Sequence, residues 1–213
     1  MARERVRFPA AGDDAPKLEG QLWLPDDGTQ TPAVAVAHPH PQRGGSMDSN
    51  VVYAICQGLQ AAGIGWLRFN FRGVGGSEGR YGEGVAERDD VLGALAFLKS
   101  QPAVDAARIG LAGYSFGARV SLSVVGQLPD LSALFCVAPP LSEAIPAENQ
   151  PRCPFQLWVG DRDGNLVQGA ERYASFLPDP SALHVVAGTD HFWRGYEQVL
   201  VEAAGSFFSG SVG

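Results

Sequence analysis

The sequence predicts an α/β protein: a mainly parallel central sheet of about eight strands with helices on both faces. Three observations predict it. From residue 33 onward, strand-like and helix-like segments alternate, which is the pattern of βαβ units. Several strand-like runs are apolar without alternation, as in strands buried on both faces; Ala33-Val34-Ala35-Val36-Ala37 is the first. The reactive-looking stretches fall just beyond the C-terminal ends of these runs, where open parallel sheets bind ligands. A length of 213 residues suits one domain spanning residues 1–213.

The elements follow in order. Glu4 to Phe8 and Leu18 to Leu24 read as two strands forming a hairpin at one sheet edge. After Ala37, His38-Pro39-His40-Pro41-Gln42-Arg43-Gly44-Gly45 can be neither helix nor strand and reads as a loop. A helix follows, capped by Asp48 or Ser49, with Val51, Ile55, Leu59 and Ala62 on one face. Trp66 to Phe71 is a strand, and Arg72 to Gly79 is a glycine-rich loop. Val85 to Lys99 reads as a helix with Val91, Leu95 and Leu98 inward, and Glu87, Asp89 and Asp90 in a solvated first turn. Arg108 to Ala112 is a buried strand, followed by a tight turn and a helix to about Gln127. Strands are expected at 134–138, 155–159 and 182–186, with a helix over 166–177. Residues 141 to 154 form a short Pro-rich connection, too short for a helical lid. The final helix carries Tyr196, Val199, Leu200, Ala203 and Phe207, and Ser209 to Gly213 read as a loose tail.

The chemistry centres on Gly113-Tyr114-Ser115-Phe116-Gly117. This G-x-S-x-G stretch lies between a strand and a helix, so Ser115 sits at the turn with its Oγ raised above the sheet. Gly113 and Gly117 lack bulk because strand and helix pass close together there. A serine hydroxyl is a poor nucleophile at neutral pH and needs a base, which in turn needs a group to fix its tautomer. His191 follows the last strand and is placed for the base. His184 alternates with apolar residues and reads as structural. The acid is Asp161 or Asp163, both just past the strand ending at Val159. The order along the chain is serine, acid, histidine. An oxyanion needs two N–H donors. Phe116, at the helix start, supplies one; His40, between two prolines that have no N–H, supplies the other, with Gln42 as second choice.

These motifs, together with Phe69-Asn70-Phe71-Arg72-Gly73-Val74-Gly75 and Asp190-His191-Phe192, resemble the α/β-hydrolase superfamily. More narrowly, the chain is similar to small lidless bacterial members related to dienelactone hydrolases. The resemblance implies the α/β-hydrolase fold without a lid domain, a Ser-His-Asp triad and no cofactor. It also places the acid three residues after Gly160, at Asp163. Two departures stand out. Dienelactone hydrolases carry cysteine where this chain has Ser115, and the common His-Gly start of the oxyanion loop is here His38-Pro39.

Other readings of the same residues are weaker. His38-x-His40 lacks further converging ligands for a metal. In a dinucleotide fingerprint the third glycine after Gly73-x-Gly75 would be Glu78. Asp161-x-Asp163-x-Asn165 lacks the glycine and closing glutamate of a calcium loop. A net charge of −7 argues against nucleic-acid or anionic-membrane partners. The charged N-terminus has no signal-peptide pattern, and Cys56, Cys136 and Cys153 read as buried reduced thiols of a cytoplasmic protein. The expected function is hydrolysis of a small soluble carboxylic ester or thioester through an acyl-Ser115 intermediate. The alternatives are an amide or peptide hydrolase using the same residues, and a non-catalytic binding protein on the same fold. Neither the oligomeric state nor the acyl and alcohol groups are fixed by the sequence.

Overall fold

The computed structural model describes residues 3–26, 28–141, 150–177, 179 and 182–212. Its strands are β1 (Glu4–Pro9), β2 (Lys17–Trp23), β3 (Thr31–Ala37), β4 (Gly65–Phe69), β5 (Val104–Tyr114), β6 (Ala133–Val137), β7 (Phe155–Gly160) and β8 (Leu183–Val186). They form one sheet in the order β1-β2-β4-β3-β5-β6-β7-β8. The β1–β2 and β2–β4 pairs are antiparallel, and the other five are parallel. The expected hairpin therefore closes one edge. The order reverses at β3, which has β4 on one side and β5 on the other. Such a switch point opens a crevice beyond the strand ends, and the His38 and Ser115 loops flank it.

The helices are α1 (Asn50–Ala61), α2 (Glu87–Lys99), α3 (Phe116–Val124), α4 (Asn165–Ala174) and α5 (Glu197–Val212). The strand β3 shows why an unbroken apolar run suits this position. Ala33, Ala35 and Ala37 face the core under α2, α3 and α4, whereas Val34 and Val36 face the core under α1 and α5. All five are fully buried. At about 25 cal/mol per Å² of apolar area, this two-sided burial is the main force holding the sheet in place. On the second face α1 and α5 cross backbone to backbone. A side chain at Gly58 would strike the Val201 carbonyl, and one at Gly205 would meet the Gly58 carbonyl at 2.9 Å. Only glycine permits that approach.

Several expectations are corrected. The last residues are not a loose tail: α5 runs to Val212, which is buried in the core. The inner stripe of α5 is Leu200, Ala204, Phe208 and Val212, one residue on from Ala203 and Phe207. The strand β5 begins at Val104 rather than Arg108, because Thr31 pairs with Val104 before a bulge. Glu87 and Asp90 are not solvated. Both are fully buried, with Glu87 accepting the Gly82 and Gly84 N–H groups at 2.7 and 2.8 Å. Asp90 is hydrogen-bonded by Arg72 Nε at 2.9 Å. Cys56 and Cys136 are buried, but Cys153 is only half-buried; all three are free thiols. Most of the connection over 141–154 lies outside the described residues. Among the described residues no helix is long and apolar enough to cross a membrane.

Candidate active site

Ser115 occupies a backbone conformation that a side chain rarely adopts, φ 52° and ψ −114°. Such strain costs roughly 1–3 kcal/mol and persists only where the surroundings impose it. Here the Ser115 N–H donates to the Val137 carbonyl of β6 at 2.8 Å, while its own carbonyl accepts the first bond of α3, from Arg119 at 3.0 Å. The glycines on either side have the reason the sequence suggests. A Cβ at Gly113 would lie 2.6 Å from Ala118 N, and one at Gly117 would lie 2.5 Å from the Ala37 carbonyl oxygen.

The turn brings Ser115 Oγ to 3.0 Å from His191 Nε2, and His191 Nδ1 lies 2.9 Å from Asp163 Oδ2. The imidazole thus links a hydroxyl to a carboxylate, with the carboxylate side chain 7% and the histidine side chain 30% exposed. With Nδ1 donating to Asp163, Nε2 is left as an acceptor able to take the serine proton. Asp161 is placed differently. Its Oδ1 accepts the Gly188 N–H at 2.8 Å, so it ties the β7 loop to the loop after β8.

The loop carrying His191 is fastened at several points. Tyr114 Oη donates to the His191 carbonyl at 2.7 Å. Asn50 Nδ2 donates to the Phe192 carbonyl, and Asp190 Oδ1 accepts the Phe192 N–H, each at 2.9 Å. Trp193, which follows, is fully buried. Sequence reasoning missed Tyr114 and Asn50 because an aromatic inside the elbow and an asparagine at a helix start carry no signal of a distant carbonyl.

Among the described residues, no hydrogen bond uses the backbone N–H of Phe116 or of His40. The Gln42 N–H, by contrast, donates to His40 Nδ1 at 3.2 Å. His38 is fully buried and faces away from this chemistry. Its Nε2 accepts the Phe71 N–H at 3.0 Å, which leaves Nδ1–H to donate to the Pro39 carbonyl at 2.6 Å. With both nitrogens engaged, it has none to offer a metal, and the described residues hold no metal-binding group of three or more His, Cys, Asp or Glu. His184 stacks on Trp158 with ring centroids 4.2 Å apart. Above Ser115 opens a cavity of about 810 Å³, lined among others by His40, Tyr81, Phe116, Asp163, His191 and Phe192.

Residues 14–147 match the family model described as X-Pro dipeptidyl-peptidase (S15 family). The chain belongs to this family of α/β hydrolases. The hydrolase is similar over 97% of its length to 97% of an α/β serine hydrolase homologue from Coxiella burnetii, with 31% identity and a TM-score of 0.83. An α/β serine hydrolase without a lid, from Xanthomonas campestris, is 28% identical with a TM-score of 0.83, covering 97% of this chain and 94% of that one. A thiohydrolase from Arthrinium phaeospermum is 30% identical over 62% of this chain and 44% of its own. The hydrolase therefore has the lidless α/β-hydrolase fold that the sequence resembles.

Proposed function

We propose that this hydrolase cleaves a small carboxylic ester or thioester through an acyl-Ser115 intermediate, acting as a single domain in the cytoplasm. The observation that carries this reading is the continuous chain of contacts from Ser115 Oγ through the His191 ring to the Asp163 carboxylate, at 3.0 and 2.9 Å. In the first half-reaction Ser115 Oγ attacks the substrate carbonyl carbon and its proton passes to His191 Nε2. Asp163 holds the ring and stabilises the imidazolium that forms. The negative charge on the carbonyl oxygen is taken by the N–H groups of Phe116 and His40. When the tetrahedral adduct collapses, the C–O or C–S bond breaks and His191 protonates the leaving oxygen or sulfur. In the second half-reaction water attacks the acyl-serine, His191 accepts its proton, and Ser115 leaves with that proton.

The family match raises a second reading, release of X-Pro dipeptides from a peptide. Such an enzyme must hold a free α-ammonium, which calls for carboxylates in the pocket. The cavity carries Glu83 and Asp163, the latter already bonded to His191, alongside Arg43, Arg119 and Arg194. That charge set favours an ester over a cationic peptide end. The thiohydrolase relative supports a thioester among the candidates. Three free cysteines support a reducing compartment.

The test is direct. A fluorophosphonate should label wild type and not Ser115→Ala. The p-nitrophenyl butyrate rate should exceed that for Gly-Pro-p-nitroanilide, and Ser115→Ala should lower kcat by several orders of magnitude. If the alanine variant keeps more than about a tenth of kcat, another residue carries the chemistry. Faster anilide than ester turnover would instead select the peptidase.

A further inference from the structure

The cavity above Ser115 has a wall that the contact chain through His191 does not use. His40 Nε2 lies 3.2 Å from the Tyr81 hydroxyl, and His40 Nδ1 accepts the Gln42 N–H at 3.2 Å. A neutral imidazole carries one donor and one acceptor. Since Nδ1 is the acceptor, Nε2 carries the proton and donates it to Tyr81. Partial burial and the nearby Arg43 charge hold the His40 pKa below its ordinary value, in keeping with a neutral ring. The Tyr81 oxygen therefore receives a bond from His40, and its own proton remains to be given. Among the described residues no second hydrogen bond uses that hydroxyl. The result is a donor fixed in place at the cavity wall.

Its surroundings are cationic compared with the rest of the molecule. Arg43, Arg119 and Arg194 line the cavity against Glu83 and Asp163, in a chain whose net charge is −7. Burial, Glu87 and Glu83 push the Tyr81 hydroxyl pKa up, with Arg119 and Arg43 acting in the opposite sense, so the hydroxyl keeps its proton. Glu87 is held by two backbone N–H groups, and Arg43 has no carboxylate partner among the described residues. A hydroxyl proton and a guanidinium that line the same cavity suit a carboxylate, which can accept from both.

We propose that the acyl portion of the substrate carries a carboxylate, bound by the Tyr81 hydroxyl and the Arg43 guanidinium. This rests on the acyl-Ser115 reading. The acyl side is assigned because Tyr81 and His40 pack on Phe116, with ring centroids 5.8 and 5.1 Å apart. The leaving atom must lie by His191, whose ring neighbours are Tyr114 and Phe192.

Two p-nitrophenyl esters of matched length test it: the neutral valerate and the mono-ester of glutarate, whose far end is a carboxylate. At low ionic strength kcat/KM should favour the glutarate ester by about tenfold or more, and the ratio should shrink as salt rises. Arg43→Gln and Tyr81→Phe should each lower that ratio at least about threefold. A ratio at or below one, or one that survives both substitutions, overturns the proposal. A second measurement does not depend on turnover. In Ser115→Ala, glutarate should raise Tm more than glutaramide does, and equal shifts overturn the proposal. If Tyr81→Phe does not fold, Arg43→Gln and this binding comparison decide. Should neither ester be cleaved and no probe label Ser115, the hydrolytic reading fails while the glutarate binding result still judges this one.

Discussion

His38 and His191 both stand in loops beyond the C-terminal ends of parallel strands, one after β3 and the other after β8. His38 is fully buried, and both its nitrogens meet backbone: the Phe71 N–H and the Pro39 carbonyl. Burial pushes its pKa down to about 4, so the ring stays neutral. His191 keeps a partly open ring between a hydroxyl and a carboxylate. The residue type is the same, and the partners differ in what they can do with a proton. A backbone amide cannot give its proton up, so His38 serves as a clamp between two loops. A serine hydroxyl beside a carboxylate-bound imidazole can, so His191 is suited to proton transfer.

Five substitutions and one titration can break or sharpen that contrast, beginning with the largest effect. His191→Ala should lower kcat by several orders of magnitude with the fold intact by circular dichroism; a loss under about tenfold would make the two histidines equivalent. Asp163→Asn removes the charge that sets the tautomer, and kcat should fall roughly 10³–10⁴-fold. Asp161→Asn should leave kcat within a few-fold and cost about 1 kcal/mol of stability, because it only weakens the bond to Gly188. The reverse ranking of the two aspartates in a side-by-side assay would move the acid role to Asp161.

His38 should show itself in stability. Its folded-state pKa lies below the ordinary value of 6.5, so the folded protein binds fewer protons than the unfolded one. The stabilisation is therefore complete above about pH 6.5 and is lost as the pH falls toward 4. The loss should approach about 3 kcal/mol in urea melts taken across that window. His38→Gln should flatten that dependence while lowering stability at neutral pH by about 1–3 kcal/mol, since the Phe71 N–H loses its acceptor. An unchanged pH profile in the variant would assign the titration to another group. A modest effect on activity is expected for Tyr114→Phe, which frees the His191 carbonyl. It should cost up to about tenfold in kcat with little change in KM, read from initial rates on an ester.

All eight strands and five helices could be read from the sequence, because apolar runs bounded by Gly and Pro leave few alternatives at this length. The misplacements have a common cause. Glu87 and Asp90 look like a solvated helix start until Arg72 and the Gly82 and Gly84 amides are seen to meet them, and no local pattern announces such partners. The α5 stripe shifted by one residue because Phe207 and Phe208 are equally apolar, and only packing selects Phe208, whose ring fills the space left over Gly110 of β5. At the site, the placement of Ser115, of the Asp161 and Asp163 pair and of His191 past strand ends was legible in the sequence. Position alone left the two aspartates open, and the resemblance pointed to Asp163, the one whose carboxylate meets His191. Tyr81 and Arg43 were not legible, since their importance lies in the atoms they face across a cavity.

Synthesis proceeds from the N-terminus, so α5 leaves the ribosome after every strand of the sheet and the other four helices. Until residues 197–212 emerge, Gly58 has no backbone to meet, and the face carrying Val34, Val36 and Phe135 is covered by α1 without α5. A chain arrested before that point already contains Ser115, Asp163 and His191. It lacks the helix that anchors the His191 loop through Trp193 and Leu200, which share that core. A nascent chain of that kind exposes part of an apolar sheet face that chaperones can bind. Ser115 is thus made early, and the loop that carries His191 is fastened only when translation of this helix is complete.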